Sequence, residues 1–478
     1  MEELEIPRKV KTKDNRKIWE IIKGVFGDEE MAATILIDEN GKEISKEEEA
    51  DHIINFWKKL GESRRDNSVD KNRQERVKWV INPAEQFEEE HNYGIRMNTW
   101  NENPVITNTE VKMEIKNLNV NKAKGPRGIK SEIFKYLESK EIFVQILTKC
   151  FNEVMNGRIP STWIYSRIVL IPKKRRIFLR NTEYRPITVT NVSYKIFAGI
   201  LNNRLKRFLN NNKIMSEEQA GFTGKRRMEE NILTLQMEVS RAKMNKQSIY
   251  CVVLDVEKAF DSIERHNLIE ALERIELSKE FIDVVEGIYK EVINVVFKDG
   301  VELGHFNRHR GIKRGCKLSP TLFNICLDKV VKRVNKMFPY ERTNLLLYAD
   351  DCLVLAKNEN NMRTKIRLIK EGLEGIGLKI NEEKSGAIVF GEHDGDKVAG
   401  IKKQQRINYL GMEVENSRNI FKTYIGGKLR KSQRYKFWIN NAISSKIYKA
   451  AIRKVFGKVP SSRPFCMELL HVFGRRFK

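Results

Sequence analysis

The sequence predicts an α+β fold in which helices and short strands alternate. Three observations carry that expectation. Helical apolar spacing recurs in long stretches such as VSYKIFAGILNNRLKRFL (192–209) and SPTLFNICLDKVVKRVNKMF (319–338). Short β-rich runs, SIYCVVLDV and LLLYADDCLVLA, fall between such stretches. No glycine-rich phosphate turn follows a strand, which argues against a doubly wound parallel sheet.

Taken in chain order, residues 1–65 are charge-rich and predict a helical N-terminal extension. Within it DHIINFWKKL (51–60) is amphipathic around Ile53, Ile54 and Trp57, and IDENGKEIS reads as a tight turn or hairpin. Residues 66–105 are polar and aperiodic, the pattern of a linker. The central region, 106–419, begins its clear periodicity with the helix at 192–209 and a second at 231–244. A strand then runs up to Asp255, helices fill 266–289, and strands follow near 292–306. The helix at 319–338 should be capped by Ser319, with Pro320 in its first turn. A hairpin around Ala349, a helix near 361–374 and the β-runs SGAIVFG and INYLGMEV complete the region. Residues 420–478 form a basic C-terminal region.

Composition narrows the partners. The chain has 478 residues of which 40% are apolar, enough for real cores, and a formal net charge of +25. From Ile420 to Lys478 fifteen Lys and Arg face one acid, Glu468, a net +14 interleaved with Tyr424, Tyr435, Trp438 and Tyr448. One-signed charge repels itself unless a polyanion compensates it, so nucleic acid is the expected partner; a well-solvated basic helix is the plainer alternative. Six scattered cysteines without a paired CxxC give neither a zinc site nor a disulfide framework and fit a reducing, intracellular setting. The N-terminus lacks the apolar core of a signal peptide, and no run approaches the ~18 apolar residues of a membrane span.

The unusual feature is charge where a strand would avoid it. Asp350 and Asp351 interrupt two apolar runs, and Asp255 ends a third. A hairpin with a polar turn explains the pair alone. If the runs are neighbouring strands, however, three carboxylates converge, and two unit charges about 4 Å apart repel by ~4 kcal/mol at an effective dielectric of 20. Divalent cations remove that penalty. Two of them ~4 Å apart can activate a hydroxyl and stabilise a departing pyrophosphate, which is the chemistry of nucleotidyl transfer.

YADD after an apolar run, with LDVEKAFD upstream, resembles reverse transcriptases. Further stretches narrow the resemblance to the LINE-like, non-LTR retrotransposon group: NKAKGPRGIKSEIFKYL (121–137), IVLIPKKRR (168–176), EYRPITVTNVSYKIFAGILNNRL (183–205), QAGF (219–222), GIKRGCKLSPTLFN (311–324), GLKINEEKS (377–385) and YLG (409–411). They occur in the family's order over roughly residues 105–455. The resemblance implies a right-hand polymerase: fingers, a palm with an antiparallel sheet, and a helical thumb. It implies RNA-directed DNA synthesis with two Mg²⁺ or Mn²⁺ ions, dNTPs, an RNA template and a DNA primer. Copying onto chromosomal DNA would place the protein in the nucleus, with a cytoplasmic ribonucleoprotein as the other setting.

The same resemblance assigns roles. Asp255, Asp350 and Asp351 match the metal-binding aspartates, and Lys384 matches a lysine proposed to protonate pyrophosphate, against the reading of a surface lysine. Lys173 and Arg185 match residues that grip the triphosphate, although PKKRR also fits a nuclear-import patch or solvated charge. Phe260 matches the sugar gate, against the reading of a core phenylalanine. Arg314 and Gly315 belong to the nucleotide pocket, where the glycine would let backbone approach template and nucleotide. Tyr409, Leu410 and Gly411 resemble the primer-grip turn. Three positions depart from the family: Arg127 for Asp, Arg314 for Gln and Lys317 for Pro. These changes and a tail resembling a shortened thumb suggest the rival expectation, a catalytically impaired nucleic-acid-binding remnant. A third, an RNA-templated RNA polymerase, is disfavoured by a sugar gate. Residues 1–105 show no likeness to the endonuclease such elements carry; residues 19–60 look like the spacer beside it.

Overall fold

The computed structural model describes residues 35–62, 105–173, 178–416 and 421–422, apart from 124, 127, 225, 300 and 342. In chain order the described elements are β1 (Ile35–Leu36), α1 (Lys46–Gly61), α2 (Asn108–Lys116), α3 (Ser131–Leu137), α4 (Glu141–Met155), β2 (Tyr165–Pro172), β3 (Phe178–Leu179), β4 (Tyr184–Val189), α5 (Val192–Asn211) and α6 (Met228–Met244). There follow β5 (Ile249–Val256), α7 (Ala259–Ser262), α8 (Arg265–Arg274), α9 (Lys279–Lys290), β6 (Ile293–Lys298), β7 (Val301–Asn307), α10 (Ser319–Met337), β8 (Leu345–Tyr348), β9 (Asp351–Ala356), α11 (Glu359–Gly375) and β10 (Ile380–Phe390). Five short strands close the described chain: β11 (Lys397–Val398), β12 (Ile401–Lys402), β13 (Arg406–Tyr409), β14 (Met412–Glu415) and β15 (Phe421–Lys422).

Two four-stranded sheets organise these elements. The palm-like sheet has the order β10-β5-β9-β8 and is antiparallel throughout. Its strands read as unbroken apolar runs because both faces are covered. Val252, Leu254, Leu347 and Val354 face the helices of the main core, including Phe323 of α10 and Ile369 of α11. Cys251, Leu346, Leu353 and Leu355 face the other way, onto Ile232, Leu235 and Val239 of α6 and Ile407 and Tyr409 of β13.

The fingers-like sheet has the order β4-β2-β6-β7, with β2 antiparallel to β4 and parallel to β6. Against it lies α1. Ser45 caps this helix by accepting the Glu48 N–H, Glu47 to Glu49 occupy its first turn, and Lys58 and Lys59 its last, so both ends complement the helix dipole. Its apolar stripe carries Ile53 and Trp57 into one core with Ile168, Leu170, Val296 and Phe306 of the sheet. The strand β1 pairs with β3 in parallel, and Asp38 accepts the N–H groups of Asn40 and Lys42 in the turn that precedes α1. Residues 35–62 are thus a layer of the fingers core and not a module beside it.

The helix after Gly315 starts as expected but is capped otherwise. Leu318 is its N-cap and makes no side-chain cap bond. Ser319 lies one residue inside, fully buried, with its hydroxyl at 3.0 Å from the Tyr289 hydroxyl. The buried tyrosine takes the group a cap would use. Among the described residues no helix is long and apolar enough to cross a membrane. Most of the 66–105 stretch and nearly all of the 420–478 tail lie outside the described residues, as does Arg127.

Candidate active site

The strands bring the three acids to one end of the palm sheet. β5 and β9 pair antiparallel with Leu254 opposite Cys352, so the next step of the register sets Asp255 beside Asp351. β8 and β9 join through a two-residue turn, Ala349 and Asp350, closed by the pairing of Tyr348 with Asp351. All three acids are exposed to solvent. Burial, then the charges of Asp350 and Asp255, push the Asp351 carboxyl up to about 6. Burial also raises Asp350; Asp255 adds to this while Arg314 opposes it. Ion-pairing in this region goes elsewhere, since Arg308 and Arg314 both bind Asp261.

Several cations come from other elements. Lys173 directly follows β2, and its Nζ donates to the Thr182 carbonyl at 2.7 Å. Its ammonium is disfavoured first by burial and then by Lys384, Arg185 and Arg314, with Asp255 opposing. Lys384, Arg185 and Arg314, picked from separate motifs, therefore lie within electrostatic reach of Lys173, as does Asp255. Arg185 comes from β4, opposite Ile171. Lys384 rides on a bulge of β10 between Asn381 and Gly386, where its N–H donates to the Asn381 side chain at 3.1 Å. That bulge also reaches the acids: Ser385 Oγ accepts the Asp255 N–H at 3.1 Å and donates to the Asn381 carbonyl at 2.7 Å.

Arg314 has a built seat. Asp261 is buried, and burial alone would raise its carboxyl; Arg308 and Arg314 outweigh that and hold it below the usual range. Arg308 Nη2 lies at 2.7 Å from Oδ1, and Arg314 reaches Oδ2 through Nη2 at 2.7 Å and Nε at 3.0 Å. Neither Asp261 nor Lys258 stood out in the sequence as a site residue. Lys258 takes a left-handed backbone, φ 45°, and lies over the Phe56 ring of α1 at 4.6 Å. Burial, with the charge of Lys173 and Arg310, lowers its pKa against the pull of Asp261 and Glu257.

Three expected contact residues serve partly as structure. Phe260 stacks on Phe323 with centroids 4.9 Å apart and meets the edge of Phe222 at 6.4 Å, so it is half-buried rather than free in the pocket. Gly315 has φ 84°, and a Cβ there would stand 2.9 Å from the Thr188 carbonyl, so the backbone it approaches is that of β4. Tyr409 cannot touch a primer. It is 1% exposed, its hydroxyl donates to the Leu346 carbonyl at 2.9 Å and accepts from Asn231 at 3.1 Å. It anchors the β13–β14 hairpin on the back of the palm sheet, with Leu410, half-buried against the same core, and the exposed Gly411 at the turn, at φ 50° and 73°.

The family profile of reverse transcriptases (RNA-dependent DNA polymerases) matches residues 171–414, which runs from β2 to β14 and takes in both clusters. The chain belongs to the reverse transcriptase family. It is 28% identical over 270 residues to a Pol polyprotein of a type-1 R2 retrotransposable element from Nasonia vitripennis, covering 55% of this chain and 25% of that protein. It is 26% identical over 281 residues to the type-2 R2DM polyprotein of Drosophila melanogaster, covering 58% and 26%. The RNA-directed DNA polymerase of the Drosophila melanogaster mobile element jockey is 24% identical over 324 residues, covering 65% and 35%. The chain thus spans about a quarter of the length of these two R2 polyproteins. Reverse transcriptases depend on divalent metal. In this member of the family the departures Arg314 and Lys317 are both partnered, the first by Asp261 and the second by Glu114, 2.5 Å from the Lys317 Nζ.

The acids are oxygen donors of the kind such a metal takes. Among the described residues no group of three His, Cys, Asp or Glu side chains is placed to hold a metal ion. Mg²⁺ commonly takes one or two carboxylates and leaves its other positions to water and phosphate, so an open, mutually repelling set of oxygen donors is the arrangement it needs.

Proposed function

We propose that this chain is an RNA-directed DNA polymerase of non-LTR retrotransposition, extending the 3′ end of a DNA primer with dNTPs on an RNA template. One observation carries the reading: the register of β5, β9 and β8 brings Asp255, Asp350 and Asp351 to one end of the palm sheet, and Asp255 lies within the electrostatic reach of Lys173, whose other charged neighbours are Arg185, Arg314 and Lys384. Asp255, Asp350 and Asp351 would hold two Mg²⁺ or Mn²⁺ ions. When bound, these supply Lewis-acid activation of the primer hydroxyl and neutralise charge on the leaving pyrophosphate.

The protein's own part is placement. Lys173 and Arg185 bind phosphate oxygens, the guanidinium as a planar fork. Lys384 is within electrostatic reach of Lys173 and suits proton delivery to pyrophosphate. Arg314, fixed by Asp261, adds a cation facing Asp350. Phe260 forms the floor on which the sugar rests and discriminates against a 2′-hydroxyl, which favours DNA over RNA synthesis. The β13–β14 turn at Leu410 and Gly411 is the segment assigned to the primer. The nucleus is the compartment this activity implies.

The inactive-remnant reading is not the better supported of the two; the ion pairs of Arg314 and Lys317 show that the fold accommodates both departures. Primer extension on an RNA template, by wild type and Asp350→Asn in Mg²⁺ and in Mn²⁺, tests the choice. We expect the variant to lose on the order of 10²-fold or more, the scale of removing one preorganised charge contact. A wild-type chain that adds no more dNMP than the variant would return the remnant reading.

A further inference from the structure

The turn that carries Asp350 and Asp351 is gripped from behind by Gln219, a residue of the QAGF stretch with no part in the roles above. Gln219 lies between α5 and α6 and is 4% exposed. Its Oε1 accepts the N–H of Ala349 at 2.9 Å and that of Gly221 at 2.8 Å, while its Nε2 donates to the Ala349 carbonyl at 3.2 Å. A single carboxamide so brackets both polar groups of the residue that precedes the acid pair. Ala349 needs such support, because its φ of 59° is a conformation that residues with a Cβ adopt rarely and only where their surroundings impose it.

The segment around Gln219 is itself pinned. Ala220 N–H donates to the Leu347 carbonyl at 2.9 Å and Leu347 N–H to the Glu218 carbonyl at 3.0 Å, so 218–220 runs as an added edge along β8. A Cβ on Gly221 would lie 2.2 Å from the Ala349 nitrogen, which leaves glycine as the residue that permits the approach. The Gly221 carbonyl accepts from Asn324 of α10 at 2.8 Å. The clamp is therefore tied to two independent elements before it reaches the turn.

We propose that Gln219 is a positioning residue for the metal-binding acids, setting the bend of the Ala349–Asp350 turn and with it the separation and direction of Asp350 and Asp351. The inference rests on the polymerase reading of these acids. Adjacent carboxylates facing Asp255 repel, and the turn would relax outward to separate them. A lysine or arginine could hold the turn but would neutralise the acids and compete with the metal. A carboxamide supplies donor and acceptor with no net charge, and asparagine is one methylene too short to offer both at this reach.

The test uses the full chain with Gln219→Met, which keeps length and removes every hydrogen bond. We expect a melting midpoint lowered by a few degrees, because buried backbone groups lose their partner, and a primer–template affinity close to wild type. Deuterium uptake in peptides covering 347–353 should rise, because the Ala349 amide loses its acceptor. Mn²⁺ affinity, read by electron paramagnetic resonance without nucleotide, should fall about 10-fold or more, the usual effect of removing a group that orients metal ligands. The kcat for dNMP addition should drop roughly 10-fold or more while the dNTP KM moves far less. A folded variant with wild-type Mn²⁺ affinity, or one whose loss of rate only follows its loss of thermal stability, overturns the clamp. If the variant does not fold, the wild type still decides: an Ala349 amide that exchanges as fast as an exposed turn refutes it. A wild type without extension activity defeats the polymerase reading instead, and exchange and Mn²⁺ binding then judge the clamp alone.

Discussion

At the scale of single residues the site works against the fold that holds it. Asp351, with its carboxyl pushed up to about 6, binds its proton more tightly in the folded chain than in the unfolded one. Its contribution to stability is full below the ordinary carboxylate range and is lost as pH rises through about 6, so the metal-free protein is strained at neutral pH. Asp351→Asn should raise the metal-free melting midpoint at pH 7 by on the order of 1–2 °C, and abolish extension by about 10²-fold or more. A lowered midpoint would remove the account of the shift. Metal must displace the same proton, so Mg²⁺ affinity should climb roughly tenfold per pH unit below about 6 and level off above it, as titration calorimetry can show.

At the scale of elements, α1 decides how firmly the nucleotide pocket is held. The Gly61 carbonyl accepts the N–H groups of His309 and Arg310, and Arg310 Nε donates to the Leu60 carbonyl at 2.7 Å. These contacts fix the strand end from which Arg308 reaches Asp261, and Asp261 seats Arg314. Trp57→Ala, at 6% exposure, should cost ~3–5 kcal/mol and raise the dNTP KM as the seat loosens. An unchanged KM in the destabilised variant would separate the helix from the pocket. The sequence showed that Ile53 and Trp57 share a face, but periodicity names a face and not its partner; hence α1 was legible as a helix and its place in the fingers core was not. The palm strands were legible because charge inside apolar runs is anomalous. Ser319 misled because a serine before proline fits a cap, and only the distant Tyr289 shows why it is not one. Gln219, Asp261 and Lys258 stayed hidden for a related reason. Their contacts span long sequence separations and follow no period.

At the scale of the whole molecule the charge of +25 sets the association behaviour. The basic tail contributes a net +14 and lies outside the described residues, so its role follows from composition alone. If the chain makes ~6 phosphate contacts, affinity for primer–template should fall about 10³-fold between 50 and 200 mM salt. Filter binding across that range, with and without residues 420–478, measures the tail's share; a flat profile would make the tail a solvated surface.

One buried contact reaches beyond this chain. Lys317 is held by Glu114, Glu114 also accepts from Asn203 at 2.7 Å, and a methyl group at Gly199 would overlap the Glu114 carboxyl at 2.0 Å. The three positions lie on α2, on α5 and just before α10, far apart in sequence yet compatible only as a set. Recombination with a relative anywhere between them would strand a buried carboxylate or crush it against a side chain. Shuffled polymerases built from this chain should therefore survive only when residues 114, 199 and 317 come from the same parent.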